Sequence, residues 1–194
     1  MNAPAHELLE TQEALRTKAA EIEQHGFFAN QCNDQQLKGM LTRHQQQMIT
    51  AYQQGVNLMQ GKNVQLAHQY PNFQAVNATP GMQQNNASAP TANTQSLSDQ
   101  TMATLALNAH KAGAMMGMQW ANECVDPQLR SYHVNGANLC QEMAYEMWSW
   151  MNQKGYYQPA QFNTQQTSSM ATSFQPMPNQ MASQPNQFQS GQMQ

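Results

Sequence analysis

Apolar positions along the chain fall into four runs with helical spacing, separated by stretches where that spacing lapses. In the first run Leu8, Leu15 and Ile22 recur every seven residues, with Ala19 between them. This spacing predicts a helix from Ala5, after Pro4, to His25, with Gly26 as its stop. A short turn leads to Asp34, a candidate N-cap, and a second helix whose stripe is Leu37, Leu41, His44, Met48, Ala51, Gly55 and Leu58, ending near Gly61. The third run opens at Ser98, whose hydroxyl can cap a first turn, and carries Met102, Leu105, Ala109, Ala112, Met116 and Trp120. Asp126-Pro127 opens the fourth, with proline where its missing N–H does no harm. That helix aligns Leu129, Tyr132, Gly136, Leu139, Met143, Met147 and Trp150 and stops at Gly155.

Helices two to four are each about 27 residues long, or roughly 40 Å at 1.5 Å per residue. Matched lengths and short turns make two hairpins, each with one apolar face, and burying both faces requires the hairpins to pair. The fold class expected is all-α, an antiparallel four-helix bundle. Residues 1–61 form the N-terminal hairpin, 62–97 a low-complexity linker, 98–157 the C-terminal hairpin and 158–194 a disordered tail rich in Gln, Met and Pro. A linker of about 36 residues behaves as a coil of roughly 33 Å root-mean-square span, enough to cross from one end of a bundle to the other. One such crossover is the connectivity of ferritin-like folds. Small residues in the third helix (Ala103, Ala106, Ala109, Ala112, Gly113, Ala114 and Gly117) let a partner helix approach closely.

Composition separates these parts. Only 10% of the 194 residues are charged, and Gln and Asn take their place with 33 and 18 copies, about one residue in four. No Asp, Glu, Lys or Arg lies between Lys62 and Asp99, and none follows Lys154. Such segments bury too little apolar surface to offset chain entropy. A net charge of −3 without a basic face argues against nucleic acid as partner. No apolar run reaches the length of a membrane span, and the acidic start MNAPAHELLE lacks the form of a signal peptide, so the protein is expected to stay in the cell that makes it.

Candidate chemistry is sparse. A di-iron bundle needs Glu-x-x-His on two helices, and none of the six histidines has Glu three residues before it. The 16 methionines read as adaptable core filling rather than metal ligands. His44 sits on an apolar stripe and reads as a neutral core histidine bonded to a facing polar group, with Glu142 or Glu146 as its partner. Arg130 or Lys111 would be the salt-bridge partner of those carboxylates. Cys32, Cys124 and Cys140 lack metal-site spacing. Cys124 and Cys140 are too far apart along one hairpin to bridge, whereas Cys32, in a turn, could link chains under oxidising conditions. No catalytic residue, cofactor or metal site is expected.

The stretch Asn122–Pro159 carries D-P-x-L-R (Asp126, Pro127, Leu129, Arg130) and closes with N-x-K-G-Y-Y (Asn152, Lys154, Gly155, Tyr156, Tyr157). It resembles the C-terminal half of the spore coat protein CotF family. His6–Leu15 and Asn33–Asn57 are similar to that family's first helical pair. The resemblance implies a ferritin-like bundle serving as a structural component of the endospore coat, made in the mother-cell cytoplasm and brought to the forespore. It implies no enzymatic activity and no cofactor, and as partners other coat proteins and further copies of the chain, without nucleic acid or membrane. The alternatives are a ferritin-like Mn or Fe protein, or an adaptor that recruits other coat proteins through its polar segments. Glutamines of the tail and the pair Tyr156-Tyr157 are candidates for covalent cross-linking.

Overall fold

The computed structural model describes residues 3–62, 64, 66 and 89–176. Among these, five helices form: α1 Ala5–Gln31, α2 Gln35–Met59, α3 Asp99–Glu123, α4 Pro127–Gln153 and α5 Thr164–Thr172. The first four make the expected all-α bundle. Asp34, Ser98 and Asp126 are the N-caps of α2, α3 and α4, each side chain accepting from backbone N–H groups two or three residues on. Most of the linker expected at 62–97 and the last part of the tail, 177–194, lie outside the described residues. Within the segment read as tail, Asn163 and Gln166 form a reciprocal capping box that starts α5, whose residues are exposed.

Neighbours in the bundle are α1 with α2 and α3, and α4 with α2 and α3. His6 near the start of α1 donates to the Glu123 carbonyl at the end of α3, at 3.2 Å, so α1 and α3 run antiparallel. Lys154, just past α4, pairs at 2.6 Å with Asp34 at the start of α2, so that pair is antiparallel too. Every adjacent pair is therefore antiparallel, and α2 and α3 run the same way. The end of α2 and the start of α3 therefore lie at opposite ends of the bundle.

Each interhelical turn is closed by a carboxylate from the other hairpin. Asp99 of α3 accepts from the backbone N–H groups of Asn33 and Asp34 at 2.9 and 3.0 Å. Glu7 of α1, fully buried, accepts from those of Val125 and Asp126 at 2.6 and 3.2 Å. Both turns thus satisfy free donors ahead of a helix with a charge-assisted pair.

Three details differ from the sequence reading. Helix α1 does not stop at Gly26. That glycine makes room for α2: a Cβ there would stand 2.6 Å from the Gln45 side-chain nitrogen, which donates to the Ile22 carbonyl at 2.9 Å. The helix runs on to Gln31, burying Phe28 and Ala29. Its buried face is also displaced from Leu8, Leu15 and Ile22, which are half-buried, to Glu7, Thr11, Ala14, Lys18, His25 and Phe28. On α3 the buried face shifts to Met102, Ala103, Ala106, Leu107, His110, Gly117 and Ala121, leaving Leu105 exposed. The small-residue expectation explains the shift. A Cβ on Gly117 would stand 3.2 Å from the Ala137 nitrogen and the His133 carbonyl oxygen, so α3 packs nearly backbone to backbone on α4. The stripes read for α2 and most of α4 are the ones buried.

Removing the Glu7 clamp strands two buried N–H groups, each bond to a charged group being worth about 1.5–3 kcal/mol. Glu7→Ala is therefore expected to lower stability by about 3 kcal/mol, read as a lower urea midpoint at unchanged m-value. A loss below about 0.5 kcal/mol, the ordinary effect of a surface change, would mean the clamp does not hold the hairpins.

Candidate functional site

His25 stands nine residues before Asp34 and His44 ten after it, His110 eleven after Asp99, and Glu146 eight before Lys154. Asp34, Asp99 and Lys154 are tied together at one end of the bundle. At 1.5 Å per residue, all four side chains therefore lie about 12–17 Å from that end, one on each helix. The three imidazoles are buried, with 0–1% exposure, and their ring centroids lie 5.0–6.1 Å apart. One nitrogen from each ring can be chosen so that all three lie within 4.8 Å of one another.

Hydrogen bonding fixes how the rings present their nitrogens. A carbonyl can only accept, so His25 donates from Nδ1 to the Glu21 carbonyl at 2.8 Å and keeps a lone pair on Nε2. His44 donates from Nε2 to Glu146 Oε2 at 2.7 Å, leaving its lone pair on Nδ1. His110 donates from Nε2 to His25 Nε2 at 3.2 Å. The Nδ1 atoms of His44 and His110 are then buried without a partner among the described residues. Such a site is costly to keep dry and empty of partners.

Glu146 also accepts from Arg43 at 2.6 Å. The His44 hydrogen bond, opposed by partial burial and aided by Arg43, holds its carboxyl below the ordinary range. The facing carboxylate expected for His44 is thus Glu146, while its ion-pair partner is Arg43 rather than Arg130 or Lys111. Arg43 adjoins His44 on α2, the helix packed against α4, whereas the Lys111 ammonium lies over the Tyr157 ring at 5.5 Å. Sequence reading missed His25 and His110 as neighbours of His44. The available signal was their equal distance from the capping residues, which matters only once the register of the hairpins is known.

A second polar level lies toward the other end. Thr11 donates to the Glu7 carbonyl at 2.7 Å and accepts from His133 Nε2 at 3.2 Å, with the His133 ring between Trp120 and Tyr132. Beside it, α1, α3 and α4 enclose a largely apolar cavity of about 280 Å³ lined by Lys18, Glu21, Gly113, Met116, Trp120 and Cys140 among others. Burial pushes the Glu21 carboxyl up, partly offset by Lys18.

All three cysteines are reduced and buried. Burial pushes the Cys124 and Cys140 thiols up to about 11 and raises Cys32 as well. Cys32 was expected to be available in a turn. It instead packs in the core with Phe28, Leu37 and Met40, so its thiol is shielded from a second chain. Of the two candidate cross-linking tyrosines, Tyr156 is half-buried against Trp150, and Tyr157 is 40% exposed.

The motif residues have structural uses. Asp126 and Pro127 start α4, and Leu129 is fully buried. Asn152 donates to the Tyr157 carbonyl at 3.0 Å, Lys154 pairs with Asp34, and Gly155 takes the left-handed conformation, φ 74°, that turns the chain back so the Tyr156 N–H reaches the Met151 carbonyl at 2.7 Å. Residues 98–161, which hold α3, α4 and this closing turn, match the Coat F domain. Over 178 residues the chain is 26% identical to the spore coat protein F-like protein YhcQ of Bacillus subtilis strain 168, a match that covers 91% of this chain and 82% of that one. A candidate spore coat protein of Bacillus halodurans, known from a crystal structure, has the same fold with a TM-score of 0.63 and 16% identity over 84% of this chain and 97% of that one. The C-terminal hairpin thus matches a spore coat family domain, and the whole chain is similar to a spore coat protein F-like relative.

Burial holds His25 and His133 down to about 4 and His110 to about 2, so all three are neutral in the fold at pH 7. For His133, Glu7 pulls the other way and Lys18 adds to the depression. A histidine depressed in the fold leaves stability intact above the unfolded value near 6.5 and removes it as pH falls from there through the folded value. Thermal unfolding should therefore hold steady from pH 8 to 7 and weaken from about pH 6.5 to 4, with His133 alone contributing on the order of 3 kcal/mol. In His133→Gln the slope over this range should be shallower; an unchanged slope would remove His133 from the account.

Proposed function

We propose that this protein is a structural component of the bacterial endospore coat, made in the mother-cell cytoplasm and retained on the forespore through contacts with other coat proteins and with its own copies. The observation that carries this reading is the Coat F domain, in which the family's motif residues go to closing the bundle rather than to chemistry. The names of its relatives support the same location. No helix among the described residues is long and apolar enough to cross a membrane.

Assembly falls to the outer surface of the bundle and the polar segments. Phe27, Met115 and Val125 are 55–77% exposed on the bundle, and Phe162 and Phe174 are 64% and 84% exposed in the C-terminal segment. Scattered apolar side chains on a surface with few charges supply contact area without strong repulsion between copies. Uncharged Gln-rich segments of this kind associate readily. The glutamines and Tyr157 offer the chemistry for covalent fixation, and the protein performs no catalysis of its own.

A fluorescent fusion followed through sporulation in an endospore-forming host tests the reading. The expected result is a shell of fluorescence around the forespore that persists on the released spore, and that weakens several-fold when 160–194 is deleted. Fluorescence that stays diffuse in the mother cell would contradict it.

A further inference from the structure

We infer that His25, His44 and His110 form a binding site for one divalent transition-metal ion of the zinc class, held between α1, α2 and α3. Three independent features converge on it. The imidazoles come from three helices, all within the buried core, and each can offer a nitrogen within 4.8 Å of the others. Two of those rings carry a buried Nδ1 with no hydrogen-bond partner among the described residues, an arrangement that a ligated ion resolves. The outer contacts are those that orient ligating histidines: His25 Nδ1–H is fixed by the Glu21 carbonyl and His44 Nε2–H by the Glu146 carboxylate. Each of these bonds frees the ring's other nitrogen as the ligand atom, Nε2 on His25 and Nδ1 on His44.

The donor set selects the ion. Neutral imidazoles suit Zn²⁺, Co²⁺, Ni²⁺ and Cu²⁺, whereas Mg²⁺, Ca²⁺ and Mn²⁺ favour oxygen ligands. Three histidines leave a fourth position of a tetrahedral ion for water. Glu146, paired with Arg43, orients His44 as a ligand through the Nε2–H bond. For the ion to bind, the hydrogen bond between His25 and His110 must give way, so that both rings turn lone pairs inward. This reading departs from the sequence-based expectation of no metal site, which weighed Glu-x-x-His pairs and methionines and took His44 alone. It also differs from a carboxylate-rich Mn or Fe centre. An ion here would staple both helices of one hairpin to the other, and ligation would stabilise the folded state by mass action.

The test uses the untagged full-length protein, stripped with chelator and titrated with Co²⁺ and then Zn²⁺. One equivalent of Co²⁺ per chain should bind with visible absorption of tetrahedral ligand field, be displaced by Zn²⁺, and raise the melting temperature. Mn²⁺ should do neither. His110→Gln should abolish the absorption, and Glu146→Gln, which keeps the fold but loosens His44, should weaken Co²⁺ by about 10- to 100-fold. His6→Gln, on the exposed start of α1, should bind as the unaltered chain does. Absence of stoichiometric Co²⁺ and Zn²⁺ binding by the unaltered chain would overturn the assignment. So would retention of full affinity in folded His110→Gln, with helicity checked by circular dichroism.

Discussion

Two carboxylates, each reaching from one hairpin into the turn of the other, set the register on which the rest of this bundle depends. Asp99 closes the α1–α2 turn and Glu7 the α3–α4 turn, each accepting from two successive backbone N–H groups. An apolar interface alone tolerates slippage, because one Leu or Met replaces another at little cost. A bidentate bond to two particular amides does not. With both ends pinned, each helix has one allowed position along the bundle axis, and side chains at matching distances from the ends must meet.

That constraint explains why α1 buries a polar column. Glu7, Thr11, Lys18 and His25 occupy the face that points inward, while Leu9 and Phe27 are more than half exposed. Glu7, Thr11 and His25 each have a partner on α3, α4 or the turn between them, so the cost of burying them is offset by hydrogen bonds that exist in one register. The core supplies adhesion through Leu37, Leu41, Met102, Met147 and Trp150, and the polar column supplies the choice of partner and position. A bundle so specified presents a fixed outer surface, which is what the proposed coat role calls for.

Caps and stops at the helix ends were largely legible in the sequence, because Asp34, Ser98, Asp126 and Gly155 act through local backbone geometry. The stripe of α2 was legible for the same reason that most amphipathic helices are: its buried positions are mostly apolar. Helix α1 was misread where its inward face is polar, since hydrophobic spacing then follows the half-buried flank of Leu8, Leu15 and Ile22. Gly26 was misread as a stop because close approach of Gln45 leaves the same residue in the sequence as a C-cap does. The histidine cluster was hidden more deeply. His25, His44 and His110 share no motif and are 19 and 66 residues apart, and only the tertiary register brings them to one level.

The family's closing motif and the clamps serve the same end, since Lys154 meets Asp34 where Asp99 caps the adjoining turn. The most direct measurement of this account is native-state hydrogen exchange at the amides of Asn33, Asp34, Val125 and Asp126. These amides lie in turns ahead of helices, where local fraying normally exchanges them quickly. If the crossed carboxylates hold the hairpins in register, they exchange as slowly as the central amides of α2 and α4, through global unfolding. Exchange at the rate of unprotected turn amides would contradict the account.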